Sequence, residues 1–282
     1  MTSAALQEII ALLGCPAAGN PAQYLFERAI EAAGLDVRFL TVEVATERLA
    51  DALGGVAAMG FKGCLLSGPL REAALPLVGS TSPAAAFAGA VTLVERQSGP
   101  LSGHMTDGRG VVEAVRSHVD PAGARVFLLG AGSRGRATAL ELTLAGAAGI
   151  VVADPDAARA AALAEALGGL SAAPTATPLE WHDSLAVPSD IDILVATGPD
   201  PGGHGQAMKG PTLTGLRADL VVADLALVTS PSPVVRQAAA AGACIVDGLE
   251  IHAARTAIDI HTLLGVDADP DMLRDALDEF LS

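Results

Sequence analysis

The sequence predicts an α/β protein with two domains, each built on an open and mostly parallel sheet. Short apolar segments alternate with helix-forming segments along the chain, and a glycine-rich turn separates two apolar segments near its middle. The length of 282 residues and the 51% hydrophobic content suffice for two cores. We expect a first domain over 1–105, completed by C-terminal helices over 248–282 that return to it, and a second domain over 106–247.

The first domain is predicted from strands that end at glycine or polar residues and from helices with recognisable starts. Strands are expected at 9–13, 37–44, 62–67 and 90–97. Helices are expected at 23–33, 46–59, 69–78 and 82–89. This alternation indicates a largely parallel sheet.

The second domain begins with a helix over 106–119, followed by a strand, a glycine-rich turn, a helix and a strand over 125–154. Gly130 permits a sharp turn, Gly132 lets a pyrophosphate approach the backbone, and Gly135 lets the helix pack close to the strand. Asp154 lies 19 residues after Gly135, where a carboxylate can accept hydrogen bonds from ribose hydroxyls. The pattern predicts a Rossmann dinucleotide-binding domain.

The same stretch predicts the cofactor and its contacts. A carboxylate at Asp154 would repel a 2′-phosphate, so NAD is favoured and NADP is less expected. Arg134 and Arg136 could contact phosphate, although an arginine in a first helical turn is often solvated. The other predicted cofactor contacts are Ser133, Thr197 and Gly248.

The remaining elements of the second domain continue the alternation. A helix is expected at 156–167, strands near 173–176 and at 191–197, and a glycine-rich loop at 198–210. A strand at 220–227, a helix at 231–242 and a last strand at 243–247 follow. Two helices end the chain, the first at 248–264 and the second capped by Asp269 with Pro270 in its first turn.

Charge and composition exclude some partners. A formal charge of −15 and a pI near 4.6 argue against nucleic acid and anionic membranes. The three cysteines form no CxxC pair, and the chain starts without a basic leader or an apolar run long enough to span a membrane. We therefore expect a soluble cytoplasmic protein with reduced thiols. No spacing of histidine, cysteine and acidic residues suggests a metal site.

Several motifs follow one another in a familiar order: GCP near the start, GFKGCLLSGPLREAALPLV, GAV, LSGHMTDGRG, the dinucleotide unit, VVADLALVTSPSPVV, and DGLEIHAARTAIDIHTLLG near the end. In this order the chain resembles the shikimate/quinate dehydrogenase family over almost its whole length. The resemblance implies hydride transfer between a nicotinamide cofactor and a secondary alcohol or ketone of a small cyclic hydroxy acid. It also implies that the first domain binds the substrate, and it makes a homodimer plausible.

Several family residues are replaced in this chain. The two serines that hold the substrate carboxylate in the family correspond to Asn20 and Ala22. The lysine implicated in proton transfer corresponds to Arg71, whose guanidinium stays protonated and serves poorly as a general base. Other family contacts correspond to Ser67, Thr92 and Arg255, so these and Asn20 are the predicted substrate-binding residues.

The retained aspartate, Asp107, is the main catalytic candidate, with Arg71 as its partner across the cleft. Asp107 could instead cap a helix, and Arg71 could be solvated. Arg255 lies in an apolar stretch and needs a partner, which is either a substrate carboxylate or a protein acid such as Glu250 or Asp259. Three histidines near the predicted cleft are interpreted more readily as core residues whose ring nitrogens have hydrogen-bond partners within the protein: His104, His252 and His261.

Two other functions stay open at this stage. Loss of the lysine and of both serines fits a dinucleotide-binding protein that has lost catalysis and acts as a sensor or regulatory partner. A methylene-tetrahydrofolate dehydrogenase-like enzyme shares the two-domain layout, but the motif order fits it less well. Because the substrate contacts differ, the substrate can be a relative of shikimate.

Overall fold

The computed structural model describes residues 7–96, 99–198, 210–228 and 230–282. The chain divides into two compact units, the first formed by Met1–Thr106 with Arg255–Ser282 and the second by Asp107–Ala254. Each unit has its own six-stranded sheet, which confirms the predicted α/β class. Within the described ranges, no helix combines the length and the apolar character that crossing a membrane requires.

The sheet of the first unit has the order β2-β1-β3-β5-β6-β4. Strand β1 is parallel to β2 and β3, and β4 is parallel to β6, whereas β5 runs antiparallel to both of its neighbours. The strands are β1 (Glu8–Gly14), β2 (Val37–Glu43), β3 (Gly63–Leu66), β4 (Ser80–Thr81), β5 (Leu93–Arg96) and β6 (Leu101–His104). The helices between them are α1 (Ala22–Ala32), α2 (Leu49–Ala58), α3 (Leu70–Ala73) and α4 (Pro83–Ala88).

The sheet of the second unit has the order β14-β13-β11-β7-β8-β9, and all its pairs are parallel. Its strands are β7 (Arg125–Leu129), β8 (Gly149–Ala153), β9 (Thr175–Leu179), β11 (Ile193–Ala196), β13 (Val221–Asp224) and β14 (Cys244–Val246). Strands β10 (Ser184–Ala186) and β12 (Thr212–Thr214) form a separate parallel pair. The helices are α5 (Asp107–Arg116), α6 (Ser133–Leu144), α7 (Ala157–Gly168) and α8 (Pro233–Ala240). Helix α9 (Gly248–Leu264) begins in this unit, and its residues from Arg255 onward belong to the first unit.

This strand order is that of a doubly wound dinucleotide-binding fold. The chain starts in the middle of the sheet at β7, adds β8 and β9 on one side, and returns to add β11, β13 and β14 on the other. The order therefore reverses between β7 and β11, where α/β sheets of this type bind ligands beyond the carboxyl ends of the strands. The glycine-rich turn follows β7, so it lies at this point.

The last helix, α10 (Pro270–Leu281), belongs to the first unit, which the chain re-enters at Arg255. The Asp269 carboxylate accepts a hydrogen bond from the Asp271 N–H and caps the helix. Helix α10 packs against α1, where the Tyr24 hydroxyl lies 2.8 Å from a Glu279 carboxylate oxygen and the Tyr24 and Phe280 ring centres are 5.9 Å apart. The end of the chain therefore completes the N-terminal core.

A buried thiol makes the stability of the first unit sensitive to alkaline pH. Cys64 lies in β3 with no exposed surface, and burial raises its pKa from 9.0 to about 12. The folded chain therefore keeps a proton that the unfolded chain loses, and stability contributed by the neutral thiol is lost as the pH rises from 9 towards 12. Between about pH 8 and pH 10, wild type should lose about 1.4 kcal/mol more unfolding free energy than Cys64→Ala. Urea denaturation of both proteins at each pH measures the difference. Parallel profiles of unfolding free energy against pH would contradict this prediction.

Candidate active site

The turn after β7 depends on two glycines. Gly130 has a φ of +107°, and a Cβ there would lie 2.3 Å from Thr197 Oγ1. A Cβ on Gly135 would lie 2.0 Å from the Gly130 carbonyl oxygen. Gly130 therefore excludes a side chain because of its positive φ and the nearby Thr197, and Gly135 excludes one because helix α6 comes against the end of its own strand. Thr197 is itself buried, and its hydroxyl donates to the Leu129 carbonyl at 3.1 Å.

The middle glycine of the turn has the opposite environment. A Cβ on Gly132 would meet no atom within 4 Å, so the space above this residue is open. Gly132 is also the N-cap of α6 and, as a glycine, contributes no side-chain capping bond to the first N–H groups of the helix. Ser133, the first helical residue, is half-buried at this end. An open approach to the start of a helix fits a pyrophosphate group.

Asp154 holds the turn against the end of β8. Its Oδ2 accepts a hydrogen bond from the Ala131 N–H at 2.7 Å, and its Oδ1 accepts from the Asp156 N–H at 2.8 Å. The carboxylate is 6% exposed. Each carboxylate oxygen retains capacity for a second hydrogen bond, so a contact with ribose hydroxyls is compatible with this placement. The exposed Asp156 carboxylate caps α7 beside it.

Asp107 and Arg134 form a buried ion pair within the second unit. Arg134 Nε lies 3.6 Å from Asp107 Oδ2, and the two side chains are 6% and 4% exposed. A second guanidinium nitrogen donates to the Leu225 carbonyl at 2.9 Å. Helix α5 comes close to α6 at Gly108, where a Cβ would lie 2.4 Å from the Ala137 carbonyl oxygen. Arg134 therefore links α5, α6 and the segment after β13.

A second buried carboxylate lies at the end of β13. Burial raises the pKa of Asp224, while hydrogen bonds from the Ser232 hydroxyl and the Ala226 N–H, and the charge of Arg134, act in the opposite direction. Asp224 lines a cavity of about 200 Å³ at the carboxyl ends of β13 and β14. Gly248 also lines it, and a Cβ on Gly248 would lie 2.2 Å from the Ala226 carbonyl oxygen. Sequence reasoning missed Asp224, for which the only signal is its position at the end of an apolar strand.

In the first unit, the replaced carboxylate-binding positions lie at the start of α1. Asn20 Oδ1 accepts a hydrogen bond from the Ala22 N–H at 3.0 Å, and Ala22 is buried. Ser67, which follows β3, is 7% exposed, and its hydroxyl lies 3.5 Å from the Pro16 carbonyl oxygen. Asn20 therefore uses its side-chain oxygen to orient the helix start.

Thr92 and Arg71 are both buried. Thr92 Oγ1 lies 3.1 Å from Thr106 Oγ1 and accepts from the Thr106 N–H at 3.0 Å. Arg71 is 7% exposed, and its Nε donates to the Leu66 carbonyl at 3.1 Å. The alternative of a solvated Arg71 is therefore wrong, while its role as a substrate contact stays a prediction, as does its pairing with Asp107.

The partner of Arg255 is a protein acid. Its Nε lies 3.6 Å from Asp259 Oδ2, one turn along α9, and the Asp259 side chain is 1% exposed. Glu250, the other acid considered, contacts His118 instead. The three histidines have partners as well: His104 pairs with Glu95, His252 Nδ1 lies 2.8 Å from the Gly248 carbonyl oxygen, and His261 pairs with Asp267. His252 is buried and His104 is half-buried, but the His261 side chain is 64% exposed, so its interpretation as a core residue is wrong. Over the described ranges, no group of three or more histidine, cysteine and acidic residues is arranged to hold a metal ion.

These features define a class of protein. A doubly wound sheet, an open glycine-rich turn at its switch point and an acid after the second strand are those of a nicotinamide-dependent dehydrogenase. Residues 12–94 match the family model of the shikimate dehydrogenase substrate binding domain. The NADP(+)-dependent shikimate dehydrogenase of Citrifermentans bemidjiense is 34% identical over 90% of this chain and 89% of its own length. The chain belongs to the shikimate/quinate dehydrogenase family, which confirms the predicted resemblance.

Solved structures agree with this assignment. The ligand-free 5-ketofructose reductase of Gluconobacter sp. strain CHM43 has a TM-score of 0.88 and 30% identity, over 98% of this chain and 99% of that one. Shikimate 5-dehydrogenase of Thermus thermophilus, in complex with NADP(H) and shikimate, has a TM-score of 0.80 and 28% identity, over 98% and 100% of the two chains. The protein is therefore a dehydrogenase of the shikimate/quinate type that uses a nicotinamide cofactor and a small-molecule substrate.

Proposed function

We propose that this protein is an NAD-preferring dehydrogenase that interconverts a secondary alcohol and a ketone on a small cyclic hydroxy acid: shikimate, quinate or a relative. The open space above Gly132 at the start of α6 is the observation that carries the proposal. It offers backbone N–H groups to a pyrophosphate. The bound nicotinamide supplies the hydride chemistry, and the chain supplies binding, orientation and a proton path. A homodimer in the cytoplasm is part of this proposal.

The catalytic roles are assigned to Asp107 and Arg71. Asp107 is paired with the guanidinium of Arg134, and its carboxylate oxygens can also accept a hydrogen bond from the reacting hydroxyl. Arg71 can donate to the developing oxygen anion but cannot act as a base. Ser67, Thr92, Asn20 and Arg255 supply the predicted polar surroundings of the substrate.

A substrate without a carboxylate is the second candidate. The two positions that hold the substrate carboxylate in the family carry Asn20 and the buried Ala22 in this chain. The side-chain oxygen of Asn20 already accepts a hydrogen bond from the Ala22 N–H. Arg255 is neutralised by Asp259. A neutral polyhydroxy ketone needs no carboxylate anchor, and the solved 5-ketofructose reductase is named for such a substrate. These observations favour neutral polyols as the next substrates to test.

The test follows the absorbance of reduced nicotinamide with purified protein, supplied with NAD and shikimate or quinate, and in a separate assay with NADH and a neutral polyhydroxy ketone. Turnover of either acid supports the first candidate. Turnover of the ketone alone supports the second. NAD binding without turnover of any of the three would contradict both and favour the alternative of a non-catalytic sensor or regulatory protein.

NAD preference rests on acidic groups at the end of β8. Asp154 is buried at the turn and Asp156 is exposed beside it, so a 2′-phosphate would meet negative charge. Asp156→Asn keeps an α7 cap while it removes one charge, and it should improve the NADP affinity about fivefold with NAD affinity little changed. Titration of NAD and NADP into wild type and into the variant gives the ratio of the two affinities for each protein. An unchanged ratio would remove Asp156 from the selection of the cofactor.

A further inference from the structure

Three side chains of the second unit form a line of contacts that the proposed dehydrogenase reaction does not use. Cys244 Sγ lies 3.4 Å from His118 Nδ1, and His118 Nε2 lies 2.9 Å from Glu250 Oε1. Cys244 begins β14, His118 follows the end of α5, and Glu250 lies in the first turn of α9. A thiol, an imidazole and a carboxylate thus stand in the order of a nucleophile, its base and the group that orients the base.

The backbone anchors each of these side chains. Cys244 is in register with β13 in the parallel sheet. The His118 N–H donates to the Val115 carbonyl at 2.9 Å. The Glu250 N–H donates to the Asp247 carboxylate at 3.0 Å. The backbone positions from which the three side chains extend are therefore determined by the fold.

The carboxylate determines how the imidazole presents itself to the thiol. An ionised Glu250 can only accept a hydrogen bond, so the proton of the neutral imidazole lies on Nε2 and the Nδ1 lone pair faces the sulfur. The imidazole can then take the thiol proton, and the resulting imidazolium stays beside the carboxylate. The thiolate is the reactive form of cysteine. Its sulfur is accessible, because Cys244 is exposed, whereas Cys15 is half-buried and Cys64 is buried.

We propose that Cys244 is a site of oxidative modification by hydroperoxides, activated by His118 and Glu250. The thiolate sulfur attacks one oxygen of hydrogen peroxide, so that a sulfur–oxygen bond forms while the oxygen–oxygen bond breaks. The sulfur is oxidised by two electrons and the peroxide is reduced. The departing hydroxide takes the proton held by the His118 imidazolium and leaves as water, and Cys244 becomes a sulfenic acid.

The experiment treats the purified full chain with hydrogen peroxide, traps sulfenic acid with dimedone and follows each cysteine-containing peptide by mass spectrometry. Cys244 should be labelled about tenfold faster than Cys15, which serves as the internal control. His118→Asn should lower the Cys244 rate to that of Cys15 and leave Cys15 unchanged. Glu250→Gln, which removes the orienting charge, should give an intermediate rate. Circular dichroism verifies that the variants are folded.

Equal labelling of Cys244 and Cys15 in wild type would overturn the proposal. An unchanged rate of Cys244 labelling in the folded His118→Asn variant would also overturn it. So would an equal fall in the labelling rates of Cys244 and Cys15 in that variant. If His118→Asn does not fold, the wild-type comparison and Glu250→Gln decide. The measurement needs neither cofactor nor substrate turnover, so its outcome is independent of the proposed dehydrogenase function.

Discussion

The Gly132→Ala variant should fold as stably as wild type and bind NAD at least about tenfold more weakly. The added methyl group enters open space in the protein, so it disturbs no packing. That same space is where a pyrophosphate would approach the start of α6, so the methyl group would hold the phosphates away from the helix N–H groups. Isothermal titration with NAD gives the affinity, and thermal unfolding without cofactor gives the stability.

The matched control is Gly135→Ala, three residues further along the same turn. Its Cβ would lie 2.0 Å from the Gly130 carbonyl oxygen, so the helix must move away from the strand. We expect a loss of about 3 kcal/mol in unfolding free energy, together with weak NAD binding. The pair therefore separates a cofactor effect from a folding effect. Wild-type NAD affinity in Gly132→Ala would contradict phosphate binding at this turn.

The long elements of the fold could be predicted from sequence because each carries its own boundary signals. Helix α9 begins and ends at the predicted residues, and α10 is capped by Asp269 as expected. Strands β4, β6, β10 and β12 were not predicted, since they are two to four residues long and depend on pairing with distant segments. The loop predicted at 198–210 lies largely outside the described residues.

Periodicity alone could not tell which face of β2 is buried. Two of its apolar residues, Leu40 and Val42, alternate with polar ones and so lie on one side, yet these two side chains are 43% and 37% exposed. The buried side chains are Val37 and Phe39, and the Phe39 ring packs 4.9 Å from that of Phe26 in α1. The choice of face is made by the helix that covers the sheet, which is tertiary information.

The candidate site was predictable where one short segment carries the chemistry. The three glycines and Asp154 form a local pattern, and the structure brings them together at the ends of β7 and β8, where their contacts with a cofactor stay predictions. Partners that come from distant segments were not predictable. The pairing of Arg134 with Asp107 joins residues on two helices, and the contact of Cys244 with His118 spans 126 positions. No periodicity or motif connects such positions.

The Arg134→Met variant should lose about 3 to 5 kcal/mol of unfolding free energy. The substitution preserves a long apolar stem but removes the guanidinium that lies 3.6 Å from the Asp107 carboxylate and donates to the Leu225 carbonyl. The carboxylate, which is 4% exposed, would then remain buried without this positive charge. Urea denaturation without cofactor measures the loss, so that any effect on NAD binding is kept apart.

Asp107→Asn separates the stability role of this pair from its proposed catalytic role. The variant leaves the buried Arg134 guanidinium without its counter-charge, but the amide oxygen can still accept a hydrogen bond from it, so the loss of stability should be smaller than in Arg134→Met. The double variant should be more stable than the sum of the two losses predicts. If Asp107 also holds the reacting hydroxyl, kcat of Asp107→Asn should fall about a hundredfold on whichever substrate turns over. If the losses of unfolding free energy in the two single variants simply add in the double variant, Asp107 and Arg134 are not energetically coupled. An unchanged kcat in Asp107→Asn would leave Asp107 with a structural role in α5 alone. Because the two readouts are independent, each role of this residue can fail without the other.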